Sequence, residues 1–556
     1  MHQHTLRLSI KTRHNQRLKP SQSLANNTHK RTKLAPKWLQ WKINIYSCVK
    51  DSIMAVTILS KCTVFPDQKS TLADLKLSTS DLNMLCCHYI QKGNLFTSPS
   101  LPSQTLIPHL KTSLSKTLSI FPPLAGRFVT DSAGHIFITC NDAGVDFIHV
   151  SATDLTITDL LSPPDVHPAF KQFFPFHRKI NYTAHFSPIL AVQVTSLADG
   201  IFIGIAVSHA VTDGSTFWNF FNTFADISRG LAHTHGIPDF RRESILMSKI
   251  PVQLPEGEIK VSFNADAPLR ERIFTFTREA IQKLKATVNK NNNHRTSPEN
   301  ADVAEIISKM KNDDTQLKTV AERGTVETAE ISSFQSLNAL MWRCVTRARK
   351  LEGSKTTTYR IAVNVRSRLE PKLPEYYFGN AIQSIATHAS ASEVVENDLT
   401  WSAMQLSKSV REYDNATVRR VAEKWDTEPK CFPMGNHDGT TLQMGSSHRF
   451  PMYENDFGWG RPLAVRSGGA NKFDGKMSAF PGRKGGGAVD VEVVLAPETM
   501  ARLESDEEFM AYASCQQWHV EECWKCVIAT CSSWNKTIVT FRCTPWKLVL
   551  ILITII

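Results

Sequence analysis

Residues Ile201–Gly230 read IFIGIAVSHAVTDGSTFWNFFNTFADISRG. Ile201 to Val207 is a short apolar and β-branched run with no helical period, the pattern of a buried strand. The run stops at Ser208-His209, and Asp213-Gly214 breaks the pattern. Ser215 is placed to cap a following helix. Phe217, Phe220, Phe221, Phe224 and Ile227 then recur at the spacing of one helix face. A histidine therefore stands where a buried strand gives way to a turn, so the strand fixes it and the turn exposes it. Two readings of His209 are open. It is a core histidine satisfied at a strand end, or it is a general base, since imidazole exchanges protons near neutrality.

The spacing His209-x-x-x-Asp213-Gly214 is short, but a second stretch lies far downstream, Asp456-Phe457-Gly458-Trp459-Gly460. Together the two resemble the hallmarks HxxxD and DFGWG of the BAHD family of plant acyl-CoA-dependent acyltransferases. The resemblance runs from about Met54 to about Ala513. It includes LSKTLSIFPPLAGRF at Leu114–Phe128, SSFQSLNALMWR at Ser332–Arg343, AVNVRSRLEP at Ala362–Pro371 and YFGNAIQS at Tyr377–Ser384. The block Arg449–Gly468 looks most like a clade of uncharacterised and cuticle-related members. The resemblance implies an α/β chloramphenicol-acetyltransferase-like fold, with two domains built on mixed sheets flanked by helices and a channel between them. Acyl-CoA enters from one face as co-substrate and a small-molecule acceptor from the other, with no tightly bound cofactor and no metal. His209 then serves as general base. Trp459 takes the family's role of oxyanion donor, for which its indole N–H is suited. Asp213 makes a structural ion pair with an arginine, here Arg366. Asp456 holds its loop, and Gly214, Gly458 and Gly460 allow conformations or close approaches that a side chain would obstruct.

The composition bounds the remaining choices. At 556 residues the chain is long enough for two or three domains. Residues 1–53 carry eleven Lys and Arg against one acid, Asp51, so they hold +10 of the net +12 and leave +2 for the rest. A body so close to neutral has no basic stripe for a phosphate backbone, which argues against nucleic acid as a partner. Of the twelve cysteines, seven are scattered and five crowd the last 42 residues. Scattered thiols fit the reducing cytoplasm. No run of about 20 apolar residues is present to span a bilayer, and no signal-peptide core follows Met1. A cytoplasmic monomer without stable membrane insertion is expected.

Residues 1–53 read as a disordered basic extension rather than a transit peptide, because the basic positions have no helical period and Pro20 and Pro36 interrupt. The resemblance implies that residues 54–254 make a first acyltransferase domain, joined by a return segment at roughly 443–482. Residues 255–442 with 483–514 make the second. Strands are expected at Val56–Val64, Gly126–Val129 with His135–Cys140, Ile189–Leu197, Arg272–Thr277 and Tyr359–Val365. Lys476–Phe480 pairs with Ala488–Leu495 across the turn GRKGGG. Helices are expected at Leu106–Leu118, Arg278–Val288 and Ser332–Ala348, with Ser333 as a cap that could also line the CoA channel. Asn289–Val326 is polar and charged and reads as a long exposed loop, and 515–556 is an atypical Cys/Trp-rich and apolar tail. Cys523-x-x-Cys526 lacks a second pair at zinc spacing. Cys86-Cys87 reads as core, and His88, His185 and His388 have no partner motif.

The leading functional reading is transfer of an acyl group from acyl-CoA to a hydroxyl or amine of a plant metabolite. The alternatives are a lyase-like relative and a catalytically inactive binding protein using the same cavity. The intact His209 and DFGWG stretch weigh against both.

Overall fold

Strand and helix patterns combine into two mixed sheets in the computed structural model of the chain, which describes residues 56–231, 235–243, 245–296, 330–515, 543–544 and 547–548. The first sheet is built from β1 (Thr57–Val64), β3 (Ile90–Thr97), β6 (Val145–Ala152), β7 (Leu190–Leu197), β8 (Gly200–Val207) and β13 (Ala464–Ser467), in the order β1-β6-β7-β8-β3-β13. All of its pairings are antiparallel except β6 with β7. Between β1 and β6 the chain makes a small sheet of β2 (Leu75–Lys76), β4 (Arg127–Thr130) and β5 (Ile136–Thr139). β8 is buried at every position, which is why its sequence is apolar throughout rather than alternating.

Helices α1 (Thr79–Leu82), α2 (Ser103–Ile120) and α3 (Gly214–Ser228) belong to this half. Leu106, Leu110, Leu114 and Leu118 of α2 fall on one stripe, and all are buried in the same core as the aromatic face of α3. Burying each such side chain contributes about 1.5–3 kcal/mol relative to leaving it in water. The cap of α3 is Asp213, whose Oδ1 accepts from the Thr216 amide at 3.0 Å; Ser215, expected as the cap, lies inside the first turn. A carboxylate outcompetes the hydroxyl here because it also neutralises the positive end of the helix.

The second sheet runs β11-β10-β12-β14-β15-β9-β16. Its strands are β9 (Arg270–Phe276), β10 (Thr356–Asn364), β11 (Ile382–Ser390), β12 (Thr441–Gly445), β14 (Lys476–Pro481), β15 (Val489–Leu495) and β16 (Ser514–Cys515). Over it pack α4 (Arg278–Thr296), α5 (Ser333–Arg349) and α6 (Leu399–Arg411), while α7 (Asn415–Thr427) lies further along the chain. β14 and β15 form the expected hairpin across GRKGGG. Ser332 rather than Ser333 caps α5, in a reciprocal arrangement with Gln335.

Several expected boundaries move. Within the return segment expected over 443–482, Ala464–Ser467 pairs with the first sheet, while β12 and β14 on either side stay in the second. Asn289–Thr296 extends α4 instead of opening a loop. The rest of that stretch, 297–329, lies outside the described residues, as do residues 1–53 and nearly all of the tail. Cys515, assigned to the tail, pairs with Phe274 in β16.

Gly204 marks a close approach within the central strand. A Cβ there would sit 2.3 Å from the Phe173 carbonyl oxygen, a backbone atom that cannot swing away. Gly204→Ala is expected to destabilise the protein by about 1–3 kcal/mol, the usual cost of overpacking. An unchanged denaturant midpoint would contradict that close packing.

Candidate active site

β8 delivers His209 into a turn closed by the Val211 and Thr212 amides, which donate to the Ser208 carbonyl at 3.1 and 3.2 Å. The backbone of His209 is pinned from two sides. Its amide donates to Asn181 Oδ1 at 2.8 Å, and its carbonyl accepts from Asn380 Nδ2 at 2.6 Å. Asn380 is itself held by Asp81, which accepts from both its amide and its Nδ2 at 2.9 Å. Asp81 closes the capping box of α1 with Ser78 and accepts from Arg242 Nη1 at 3.2 Å. Burial pushes the imidazole below the ordinary histidine value. Backbone carbonyls and the Asp213 carboxylate oppose that shift without overcoming it, and Lys476 adds to it. The ring is therefore neutral at neutral pH.

Asp213 turns away from the imidazole. Its carboxylate accepts from Arg366 Nη1 at 2.6 Å, Arg366 Nη2 at 3.1 Å, and the amides of Thr216 and Ala381 at 3.0 and 3.1 Å. Asp213 is wholly buried and Arg366 is 5% exposed. Burial alone would raise the Asp213 pKa, but the guanidinium and the amides bring it below the ordinary carboxylate range. Gly214 leaves room for Phe450, whose ring lies 2.5 Å from where a Cβ would stand.

His209 lines a cavity of about 670 Å³ walled by both sheets. Met84, Trp218, Phe334, Trp425 and Phe432 give it apolar surface, and Gln383 and Lys476 add polar groups. Such a mixture suits a small organic ligand held by a few placed polar contacts. Cys86 and Cys87 are buried beside it as core residues. His88, His185 and His388 each take a local partner, respectively the Asn471 amide, the Tyr182 carbonyl and the Thr358 hydroxyl.

The second motif is elsewhere. Asp456 Oδ1 accepts from the amides of Gly458 and Gly460 at 2.8 and 3.0 Å, and both glycines have φ of +105°, where a side chain would be strained. Trp459 stacks on Phe457 with centroids 5.4 Å apart and meets the edge of Phe96. Phe457 in turn packs on Phe224, in the last turns of α3. His209 precedes the first turn of the same 15-residue helix, whose length is about 22 Å at 1.5 Å per residue. Trp459 is absent from the cavity lining, and its indole Nε1 is buried without a partner among the described residues. The expected oxyanion donor is thus not at the site: the motif packs the far end of the helix whose near end carries the histidine.

Asn181, Asn380, Asp81 and Arg242 were not singled out by the sequence. Asn380 falls in the YFGNAIQS stretch, where a polar residue between Gly379 and the apolar start of β11 was the available signal. Asn181 sits in a short 3₁₀ turn with no such signal.

Two mixed sheets with a histidine cavity between them define the chloramphenicol-acetyltransferase-like fold. Vinorine synthase shares it with a TM-score of 0.62 at 22% identity, over 83% of this chain and 99% of that one. TRI101 of F. sporotrichioides, solved with coenzyme A and T-2, gives a TM-score of 0.58 at 18% identity, over 79% and 99%. The chain belongs to the Transferase family, whose pattern matches residues 54–510, and is a BAHD-type acyltransferase. An uncharacterised acetyltransferase of Arabidopsis thaliana is 31% identical over 471 residues, 82% of this chain and 98% of that protein. BAHD acyltransferase DCR of the same plant is 31% identical over 482 residues, 82% of this chain and 93% of its own length.

Two outcomes follow from this geometry. Asp213→Asn leaves Arg366 buried without its counter-charge and is expected to cost about 3–5 kcal/mol of stability. Because the folded carboxyl titrates below the unfolded one, the pair's contribution is full above about pH 4 and is lost as pH falls through the folded value. Urea titrations at stepped pH should show that acid-dependent loss in the parent and not in the variant. Trp459→Phe removes ring area but no hydrogen bond. It is expected to lower stability by about 1 kcal/mol and to leave kcat unchanged, whereas a large fall in kcat with an intact melting temperature would return the indole to the chemistry.

Proposed function

We propose that the chain moves an acyl group from acyl-CoA to a hydroxyl or amine of a small plant metabolite, with His209 as general base. The observation that carries this reading is the placement of His209, fixed by backbone contacts at a strand end and facing a cavity between the sheets. A neutral ring can take the proton of the attacking hydroxyl or amine and return it to the leaving thiolate. Asp213 is not part of a relay; it keeps the turn in shape through Arg366.

The donor side of the reading rests on a second cavity of about 420 Å³, which shares Phe334 and Arg449 with the main one. Arg278, Arg449 and Lys285, the last paired with Glu330 at 2.8 Å, line it beside Ser332 and Ser333 at the start of α5. Cationic side chains and a helix N-terminus together suit the phosphates of coenzyme A. The thioester arm would then pass Phe334 towards His209. The acceptor would occupy the apolar side bounded by Met84, Trp425 and Phe432. The reading carries with it two domains, 54–254 and 255–514 apart from the return strand, working as a monomer in a reducing cytoplasm.

The test is release of CoA thiol from a panel of acyl-CoAs and plant alcohols and amines, with products identified by mass spectrometry. His209→Ala is expected to lower turnover by about 10²- to 10⁴-fold, the usual loss with a general base, at unchanged melting temperature. Undiminished turnover in the variant would remove His209 from proton transfer. Binding of acyl-CoA without turnover across the panel would favour an inactive binding protein.

A further inference from the structure

The cavity beside His209 is lined by more lysines than the acyl-transfer reading uses. Lys92, Lys472 and Lys476 all line it. Lys472 has its own partners: it contacts Glu492 directly and lies 3.2 Å from Glu271, which also takes Lys171 at 2.8 Å. Burial opposes the charge on Lys472, but those two carboxylates hold its pKa above the ordinary lysine value.

Lys92 and Lys476 have no such arrangement. Among the described residues neither has a carboxylate within 4 Å. Lys92 Nζ donates to Ser467 Oγ at 2.8 Å and stands 4.6 Å from the centroid of the Phe480 ring. Lys476 Nζ stands 6.0 Å from the Phe473 ring centroid and close over Gly445, where an added Cβ would come within 2.7 Å of it. Burial pulls Lys92 down to about 7 and Lys476 to about 8, in each case against the pull of Glu492 and reinforced by Lys472. Lys476 also faces Cys87 and contributes to the field at His209. Two half-buried ammonium groups with no carboxylate in contact are costly to keep charged, and a ligand anion beside them would offset that cost.

We propose that Lys92 and Lys476 form a subsite for a carboxylate of the substrate, on either the acyl group or the acceptor. The proposal rests on the acyl-transfer reading above. Geometry sets where that carboxylate sits. Lys92 pairs with Ile205 in β8, four residues before His209, or about 13 Å along the strand at 3.3 Å per residue. The carboxylate is therefore several bonds from the reacting hydroxyl, amine or thioester carbon, as in a dicarboxylic acyl group or an ω-hydroxy acid. A carboxylate is favoured over a phosphate because Glu492 lines the same cavity and acts on both lysines, so a second negative charge on the ligand would meet its repulsion.

The experiment uses the full chain in two arms. One compares succinyl-CoA with butyryl-CoA on a neutral alcohol. The other compares a straight-chain ω-hydroxy acid with its methyl ester, using acetyl-CoA. In one arm the acid is expected to be preferred by tenfold or more in kcat/KM, and the arm identifies whether the carboxylate belongs to donor or acceptor. Lys92→Met and Lys476→Met should bring that ratio towards one, and Lys92→Arg should keep most of it. Isothermal titration on His209→Ala protein gives a second readout that needs no turnover. At pH 8.5 binding of the acid should take up about one proton or more as the discharged lysines recharge, seen as a heat that depends on the buffer, and binding of the ester should not. Turnover of neutral pairs with no acid preference in either arm, or a preference that survives in both Met variants, would overturn the subsite while leaving acyl transfer standing. No turnover of any pair, with buffer-dependent acid binding retained, would overturn the acyl-transfer reading and leave the subsite standing.

Discussion

The buried ion pair of Asp213 with Arg366 joins the corner after β8 to the end of β10, and the cavity exists because that joint holds. Each charge alone would be prohibitive to bury. Here the carboxylate takes two guanidinium and two amide donors, and the same guanidinium donates at 3.0 and 3.2 Å to the carbonyls of Tyr377 and Gly379. The pair thus spans both sheets with nearly all of its polar atoms used. A carboxylate so occupied has no capacity to orient the imidazole, so the histidine must be positioned by other means. Asn181 and Asn380 supply them by gripping the main chain on either side of His209. Holding the backbone leaves the ring edge facing the cavity.

The same low-dielectric setting shapes the titratable groups. Burial lowers the pKa of His209, Lys92 and Lys476 together, because each loses hydration that no nearby anion replaces in full. Asp213 and Lys472 keep their charges because their partners are fixed in contact. One cavity therefore holds groups poised to exchange protons next to groups that are locked, and the difference lies in whether the counter-charge belongs to the protein.

Much of this was legible in residues. The unbroken apolar run before His209, the phenylalanine stripe after it, and the GRKGGG hairpin are local patterns, and local patterns survive folding. The arginine partner of Asp213 could be anticipated only through the family resemblance, since 153 residues separate the two. The placement of Trp459 was misread because a motif gives no distance. Its Phe457 neighbour reaches Phe224, not Phe217, and the length of α3 separates the two motifs. The lysines were invisible for a related reason. In sequence Lys92 and Lys476 are ordinary surface residues, and only the closure of the second sheet over β3 takes them out of bulk water.

β13 also has a consequence in time. Lys92 on β3 meets Ser467 of β13 across 375 residues of chain, and until β13 arrives that edge of the first sheet has open backbone donors and acceptors. At roughly 5–20 residues per second of synthesis, the edge waits for tens of seconds as the intervening helices and the second sheet emerge. During that interval the nascent chain exposes an almost complete sheet with one unprotected border, so holding chaperones have the most to do late in translation. Nonsense codons between the end of β8 at Val207 and Ala464 would make that transient state permanent.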